Sequence, residues 1–208
     1  MISHIDVDHT IGLSGILKTH KVEKIIIPYG HQYCEGYVQI EELAKNYGVE
    51  ILMFSKDDSL KLNDKMTIEA LTPETEQYKY SRELNDTGMV LRLDYGESSF
   101  LFSGDISSTI EKHLLNEKAN LDEIDVLKVA HHGSKNSTCQ EFIDAVNPDY
   151  AFISVGTNNF GHPDQGVIER LSENGTDVYI SALDKDVTFY FDEYEIKGVK
   201  CSKNTTGE

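Results

Sequence analysis

The segment Ser3-His4-Ile5-Asp6-Val7-Asp8-His9, running on to Gly12, places two histidines and two aspartates within six positions. Imidazole nitrogens and carboxylate oxygens are the donor atoms that divalent cations select, and few other needs gather them so densely. In extended chain, residues two apart point the same way, so His4 and Asp6 can converge on one point. Asp8 and His9 fall at the expected turn into a helix and can aim at a second point nearby. The positive end of that helix favours ionised carboxylates there. The plainer reading is that Asp8 caps the helix. A cap accounts for one aspartate and leaves the other three residues without a role.

Three more polar groups each follow an apolar run. The first is Ser103-Gly104-Asp105, after Ser99–Phe102. A carboxylate at a strand end, behind a glycine, sits where α/β folds collect ligands. Asp105 can bridge two cations or, in the plainer reading, cap a helix from Ile106. The second is His131-His132-Gly133-Ser134, after Val126–Ala130. Adjacent histidines cannot both face one point from a regular strand, so one suits a ligand and the other a supporting or substrate contact. Gly133-Ser134 can present N–H groups to an anion. The third is the glycine- and asparagine-rich loop Gly156–Pro163, a form suited to close approach to a substrate. In it His162 can donate a proton or contact a phosphate, and a plain loop histidine is an equal alternative. His20, His31 and His113 lack polar neighbours and are expected on the surface. The three tyrosines between Tyr29 and Tyr37 are expected to pack within their loop.

These groups need a scaffold of strand ends, and the patterning supplies one. Strands are expected up to about His4, then at Val22–Pro28, Val49–Phe54, Lys61–Leu71, Val126–Ala130, Tyr150–Val155, Val178–Ile180 and Val187–Phe191. Met89–Tyr95 and Ser99–Ser103 form a hairpin around Gly96-Glu97, and Pro73–Asp86 reads as a loop. Helices are expected from Asp8 to His20 and at Tyr37–Tyr47, Ile106–Asn116, Cys139–Val146 and Gln165–Glu173. Strands and helices interleave without repeat or linker, which predicts one α/β domain over residues 1–195 and a polar, frayed tail over 196–208.

The chain has 208 residues and a formal net charge of −17. That argues against a surface that holds nucleic acid by bulk electrostatics, but not against a phosphodiester substrate met by bound cations. No apolar stretch has the length of a membrane span, and polar residues from position 3 argue against a leader. Three cysteines without metal spacing point to a reducing compartment, and the expected location is the cytoplasm.

Taken together, His-x-Asp-x-Asp-His-x-x-Gly, Ser-Gly-Asp, His-His-Gly-Ser and Gly-His-Pro resemble the metallo-β-lactamase superfamily. The stretches Val126–Lys135 and Ile153–Pro163 are most similar to the hydrolase domain of ComEC-type competence proteins. The resemblance implies an αββα sandwich whose first strands would precede His4, so that a preceding segment or a partner chain would complete the sheet. It implies two divalent ions. His4 and Asp6 would hold one, Asp8 and His9 the other, with Asp105 bridging and His131 completing the shell; His132 is the alternative to His131. Asp8 and His162 would be the catalytic groups, and Asn85, His132 and Ser134 would bind substrate or support the ligands. Asp6 replaces the superfamily's usual histidine, Asn85 matches the ComEC-like pattern, and Gly88 stands where that pattern has serine. Oxygen in place of nitrogen shifts preference from zinc toward harder cations, manganese or magnesium. The implied activity is hydrolysis of nucleic-acid phosphodiesters, DNA first among them, by a metal-activated water. Rival readings are a hydrolase of small esters or amides with the same fold, and a catalytically silent domain that needs a partner.

Overall fold

The computed structural model describes residues 1–75 and 83–202. The chain enters as an extended segment between two layers. Ile2 N–H donates to Ile26 O (2.9 Å), and Ser3 O accepts from Met89 N–H (2.7 Å). Two short helices follow, α1 (Val7–Thr10) and α2 (Leu13–Thr19), where one helix was expected. The break has a packing cause: α2 buries Leu13 and Leu17, whereas α1 buries nothing and carries Asp8 and His9. One straight helix would not serve both duties.

Strand β1 (Lys24–Pro28) pairs in parallel with β2 (Glu50–Phe54), and helix α3 (Tyr37–Tyr47) makes the crossover. Ile25 and Ile27 face α2 and α3, packing on Leu13, Leu17, Ile40 and Ala44. The intervening Ile26 faces the other way, by the alternation of a strand, and packs with Phe54 against Ala70, Met89 and Leu91 of a second sheet.

That second sheet has the order β3 (Ser59–Lys61), β4 (Met66–Ala70), β5 (Leu91–Tyr95), β6 (Ser98–Phe102), β7 (Val126–Lys128), β8 (Tyr150–Ile153), β9 (Asp177–Ile180). Pairing is antiparallel as far as β6 and parallel from β6 to β9. Helices α4 (Ser108–Asn116), α5 (Gln140–Val146) and α6 (Gln165–Glu173) cover its outer face, where Ile110, Leu114, Phe142, Ile143 and Leu171 meet Leu101, Leu127, Ala151 and Ile153. Three buried clusters thus separate four layers, helix–sheet–sheet–helix, the αββα arrangement that the motifs implied. Because β6, β7 and β8 are parallel, the loops after them leave at one edge of the sheet. The His4–His9 segment arrives at the same edge.

After the short helix α7 (Ser181–Asp184), β10 (Val187–Phe191) and β11 (Ile196–Cys201) form an antiparallel hairpin. This corrects the expected tail: residues 196–201 are a strand. The hairpin is held by aromatic contacts, Phe189 with Tyr150 and Tyr179 (ring centroids 6.0 and 5.9 Å) and Phe191 with Phe100 (4.7 Å). Polar residues on β11 occupy the solvent side of a two-stranded ribbon, so composition alone reads as coil. Beside it, the inner face of the second sheet opens into a cavity of about 430 Å³ lined by Met1, Ile2, Ile68, Leu91, Leu93 and Phe102 among others. Residues 76–82 of the expected Pro73–Asp86 loop lie outside the described residues. Among the described residues, no helix is long and apolar enough to cross a membrane.

Candidate metal centre

Asp105 lies in the turn after β6 and is 3% exposed. It caps no helix, because α4 begins at Ser108 with Ser107 at its N-cap. The loop after β7 is tied to this turn by His131 N–H donating to Gly104 O (3.0 Å). His131 and His132 both have left-handed backbones (φ 47° and 54°), and Gly133 continues at φ 79°. Non-glycine residues pay about 1–2 kcal/mol each for that conformation, and such outliers collect at sites that need a fixed geometry. The tight coil turns both adjacent imidazoles toward the Asp105 side, which no regular strand could do. It also brings Gly133 against the His162 loop: a Cβ at Gly133 would lie 2.7 Å from Pro163 Cβ.

Donor atoms of Asp8, His9, Asp105 and His132 all lie within 4.8 Å of one another. His9 Nε2 is 3.4 Å from both Asp8 Oδ2 and Asp105 Oδ1, and His132 Nε2 is 3.2 Å from Asp8 Oδ2 and 3.5 Å from Asp105 Oδ2. Among the described residues, the buried His9 Nε2 and Asp105 Oδ1 lack hydrogen-bond geometry to any partner. They stand 3.4 Å apart, close enough to share one cation. Their supports fit the same use. His132 Nδ1–H donates to Ser154 O (2.6 Å), which fixes the ring with Nε2 at the carboxylates, where it meets Asp8 Oδ2 at 3.2 Å and could bind a cation instead. Ser3 Oγ lies 3.1 Å from Nδ1 of both His4 and His9. One hydroxyl thereby fixes two rings with their Nε2 atoms turned to Asp6 (3.5 Å from His4) and to Asp8 and Asp105.

Charge balances the site internally. Burial lowers the His4 pKa to about 4, and the neighbouring His9 charge adds to that effect. For Asp105, burial works to raise the pKa, yet the contact with His9 and the charges of His132 and His4 hold it well below the carboxylate range. Burial works to lower His9, and Asp105 and Asp8 raise it instead. Asp6 is raised by burial and by the adjacent Asp8. A divalent cation would replace imidazolium protons in neutralising these carboxylates. The donor set therefore suits a metal: two carboxylates and two imidazoles at one point, with His4 and Asp6 beside it.

The other anticipated residues are placed as follows. His131 Nε2 stands 4.0 Å from Asp105 Oδ2, outside the group of four, and its ring is 5.5 Å from that of His162. His162 Nδ1 is buried without a partner among the described residues; burial and the nearby His131 lower its pKa. Its loop is built on Asn158, whose Oδ1 accepts from the N–H groups of Phe160 (3.0 Å) and His162 (3.1 Å). That loop presents the Phe160 ring, 83% exposed, stacked on His162 at 6.0 Å. Ser134 is buried, and its Oγ accepts from Asn136 N–H (3.3 Å), so it shapes the loop. Asn85 lies in the turn that Gly88 closes. A Cβ at Gly88 would meet Asn85 O at 3.0 Å and Ser3 O at 3.2 Å, which explains glycine there.

Sequence reasoning missed three residues. Ser3 was signalled only by standing next to His4. Lys128 ends an apolar strand, and its Nζ donates to Val129 O (2.8 Å) within reach of the Asp105 charge. His31, expected on the surface, is 0% exposed. Its Nε2 donates to Thr87 O (3.1 Å), with Thr87 Oγ1 also at 3.1 Å; its surroundings in sequence said nothing of this partner 56 residues away.

Residues 1–157 match the family model described as the metallo-beta-lactamase superfamily. The chain is 34% identical over 175 residues to ComE operon protein 3 of Bacillus subtilis, covering 84% of this chain and 22% of that protein. It is 31% identical over 200 residues to Recombination protein 2 of Haemophilus influenzae, covering 95% and 23%. It thus spans under a quarter of the length of these curated relatives. Among solved structures, CmlA, a diiron beta-hydroxylase from Streptomyces venezuelae, aligns with a TM-score of 0.55 at 13% identity, covering 85% of this chain and 42% of CmlA. Zn(2+)-bound PqqB from Methylobacterium extorquens aligns at 0.51 with 10% identity, covering 87% and 70%. These two likenesses concern the fold.

Proposed function

Because the chain belongs to the metallo-beta-lactamase superfamily, we propose that it is a metal-dependent hydrolase acting on nucleic-acid phosphodiesters. The observation that carries the metal-dependent part is the convergence of Asp8, His9, Asp105 and His132 within 4.8 Å. Recombination protein 2 and Competence protein ComA of Neisseria gonorrhoeae, 28% identical over 178 residues, support DNA as the substrate class by their names.

In this reading Asp8, His9, Asp105 and His132 would hold one divalent ion, and His4 and Asp6, beside them, would hold a second with Asp105. The carboxylate-rich set favours manganese, with zinc and magnesium as alternatives. Bound ions would lower the pKa of a water and stabilise the oxygens of the displacement. The protein's own contribution is positional. Ser3 and the Ser154 carbonyl fix three imidazoles, and the left-handed His131–Gly133 coil sets the fourth. Asp8, the more exposed of the two carboxylates in the group of four, would orient the attacking water from the solvent side. His162, held by Asn158, gives a proton to the leaving oxygen or contacts the phosphate. The exposed Phe160 ring offers a face to a nucleobase, and stacking of that kind is worth about 1–3 kcal/mol per base.

The test is incubation of purified protein with linear DNA and manganese, read on a denaturing gel, with Asp105→Ala alongside. Cleavage by the parent chain and its loss in the variant are expected. Turnover of small esters or lactams without cleavage of DNA under manganese, zinc or magnesium would overturn the substrate assignment. A further segment or a partner chain completing the first sheet is also proposed; the apolar cavity at Met1, Ile2, Leu93 and Phe102 supports it.

A further inference from the structure

A second cavity, of about 210 Å³, is lined by Ser108, Lys135, Ser137, Cys139, Gln140 and Arg170. In a chain of net charge −17 its charged lining groups are both cations. Among the described residues neither Lys135 nor Arg170 makes an ion pair. Arg170 Nε donates to Thr138 O (3.2 Å), which holds the half-buried guanidinium in place; among the described residues its terminal nitrogens make no hydrogen bond. Asp164 Oδ1 and Arg170 Nη1 both lie beside Gly166 without forming an ion pair, and the fully buried Glu111 senses the Arg170 charge. Its carboxylate accepts Thr138 and Cys139 N–H and so is already satisfied. Burial raises the Cys139 thiol to about 11, so it adds no negative charge. Ser137 Oγ donates to Ile106 O (2.7 Å), whereas Ser108 opens the nine-residue helix α4 and, among the described residues, its hydroxyl makes no hydrogen bond.

The walls are fixed before any ligand arrives. Ser108 N–H donates to Asn136 O (2.8 Å), Ser137 N–H to Ser134 O (3.0 Å), and Glu111 clamps the next two amides. The cavity is also close to the metal centre. Lys135 follows His132, and Ser108 follows Asp105, by three residues each. Three residues reach at most about 11 Å, and a nucleic-acid strand advances about 3.4 Å along its axis per phosphate. The backbones that carry the cavity and the centre are therefore within about three nucleotides' rise of one another.

We propose that Lys135, Arg170 and Ser108 form a phosphate subsite that holds a phosphate of the nucleic-acid chain flanking the bond to be cut. This rests on the phosphodiester reading above. An anchor of this kind lets an acidic protein grip a polyanion through a few placed cations instead of a basic surface. Arginine suits two phosphate oxygens at once, and the exposed lysine adds a mobile charge.

The experiment is fluorescence anisotropy of a labelled single-stranded 12-mer with constant calcium over a salt series. Lys135→Glu and Arg170→Gln are compared with Lys21→Ala, a surface lysine paired with Glu23. Withdrawing one cation from a bound phosphate should make the slope of log K against log salt shallower by about 0.7 in Arg170→Gln and by at least that in the charge-reversing Lys135→Glu, and Lys21→Ala should leave it as in the parent chain. Lys135 is exposed, so its variant tests the subsite even if Arg170→Gln unfolds. Equal parent-chain affinity for 5′-hydroxyl and 5′-phosphorylated strands assigns the cavity to an internal phosphate. A preference for the 5′-phosphate that Lys135→Glu abolishes assigns it to a terminal one. Strong binding by the parent chain with an unchanged slope in Lys135→Glu overturns the subsite alone. No binding by the parent chain overturns the phosphodiester reading as well.

Discussion

Replacing Gly133 with alanine tests how the two loops that carry histidines are joined. Gly133 has φ 79°, and an added Cβ would lie 2.7 Å from Pro163 Cβ, 3.2 Å from Pro163 Cα and 3.4 Å from Ile153 Cγ2. The proline ring is rigid and Ile153 is fully buried, so neither has a flexible end that can swing away. The left-handed backbone costs an alanine about 1–2 kcal/mol, and the overlap adds about 1–3 kcal/mol of overpacking. Gly175→Ala is the matched control: φ is 87° there, with nothing within 4 Å of the new Cβ. It should show the backbone cost alone, and the gain from restricting the unfolded chain is common to both. At about 2–4 °C per kcal/mol for a domain of this size, Gly133→Ala should melt at least about 2 °C below Gly175→Ala. Thermal unfolding followed by circular dichroism in chelator reads the difference. Equal melting temperatures would show that the Gly133–Pro163 contact is not what couples the loops.

The same geometry fixes further outcomes. His132→Ala should weaken manganese affinity about 100-fold and His131→Ala less than about tenfold, because only His132 joins the group of four; calorimetric titration separates them, and the reverse order would reassign the ligand. Ser3→Ala should cost about 10- to 100-fold in the same titration, the usual effect of removing a group that orients ligands, and no change would deny Ser3 that role. His31 should make the fold acid-sensitive. Burial lowers its pKa from 6.5 to about 4, so the neutral ring stabilises the fold fully above 6.5, and that stability is lost as the pH falls toward 4. The shift corresponds to about 3 kcal/mol. Chemical denaturation at pH 7 and pH 4 should show a smaller loss for His31→Leu than for the parent chain; equal losses would refute the assignment.

The layers were legible in the sequence because long periodic segments carry their own signal. Helices Tyr37–Tyr47 and Gln165–Glu173 and strand Val187–Phe191 stand at the bounds that apolar spacing and following glycines predict. Where tertiary packing overrides local pattern, the sequence misleads. The helix break at Ile11–Gly12 depends on which residues find a core, and β11 depends on a partner strand that its polar residues do not announce. At the site, the placing of each polar group after an apolar strand told which loops would meet. The spacing left His131 and His132 open, since that choice turns on two left-handed residues, a backbone state that only a glycine in the next position hinted at. His31 and Lys128 acquire their roles from Thr87 and Asp105, contacts between distant parts of the chain.

The most direct test is a titration of manganese into chelator-treated protein, with metal content measured after dialysis. Saturable uptake approaching two ions per chain is expected, reduced by Asp8→Ala and by His132→Ala and abolished at the shared position by Asp105→Ala. Folded protein that takes up no divalent ion, or binds it equally well without Asp105, would contradict the two-ion centre.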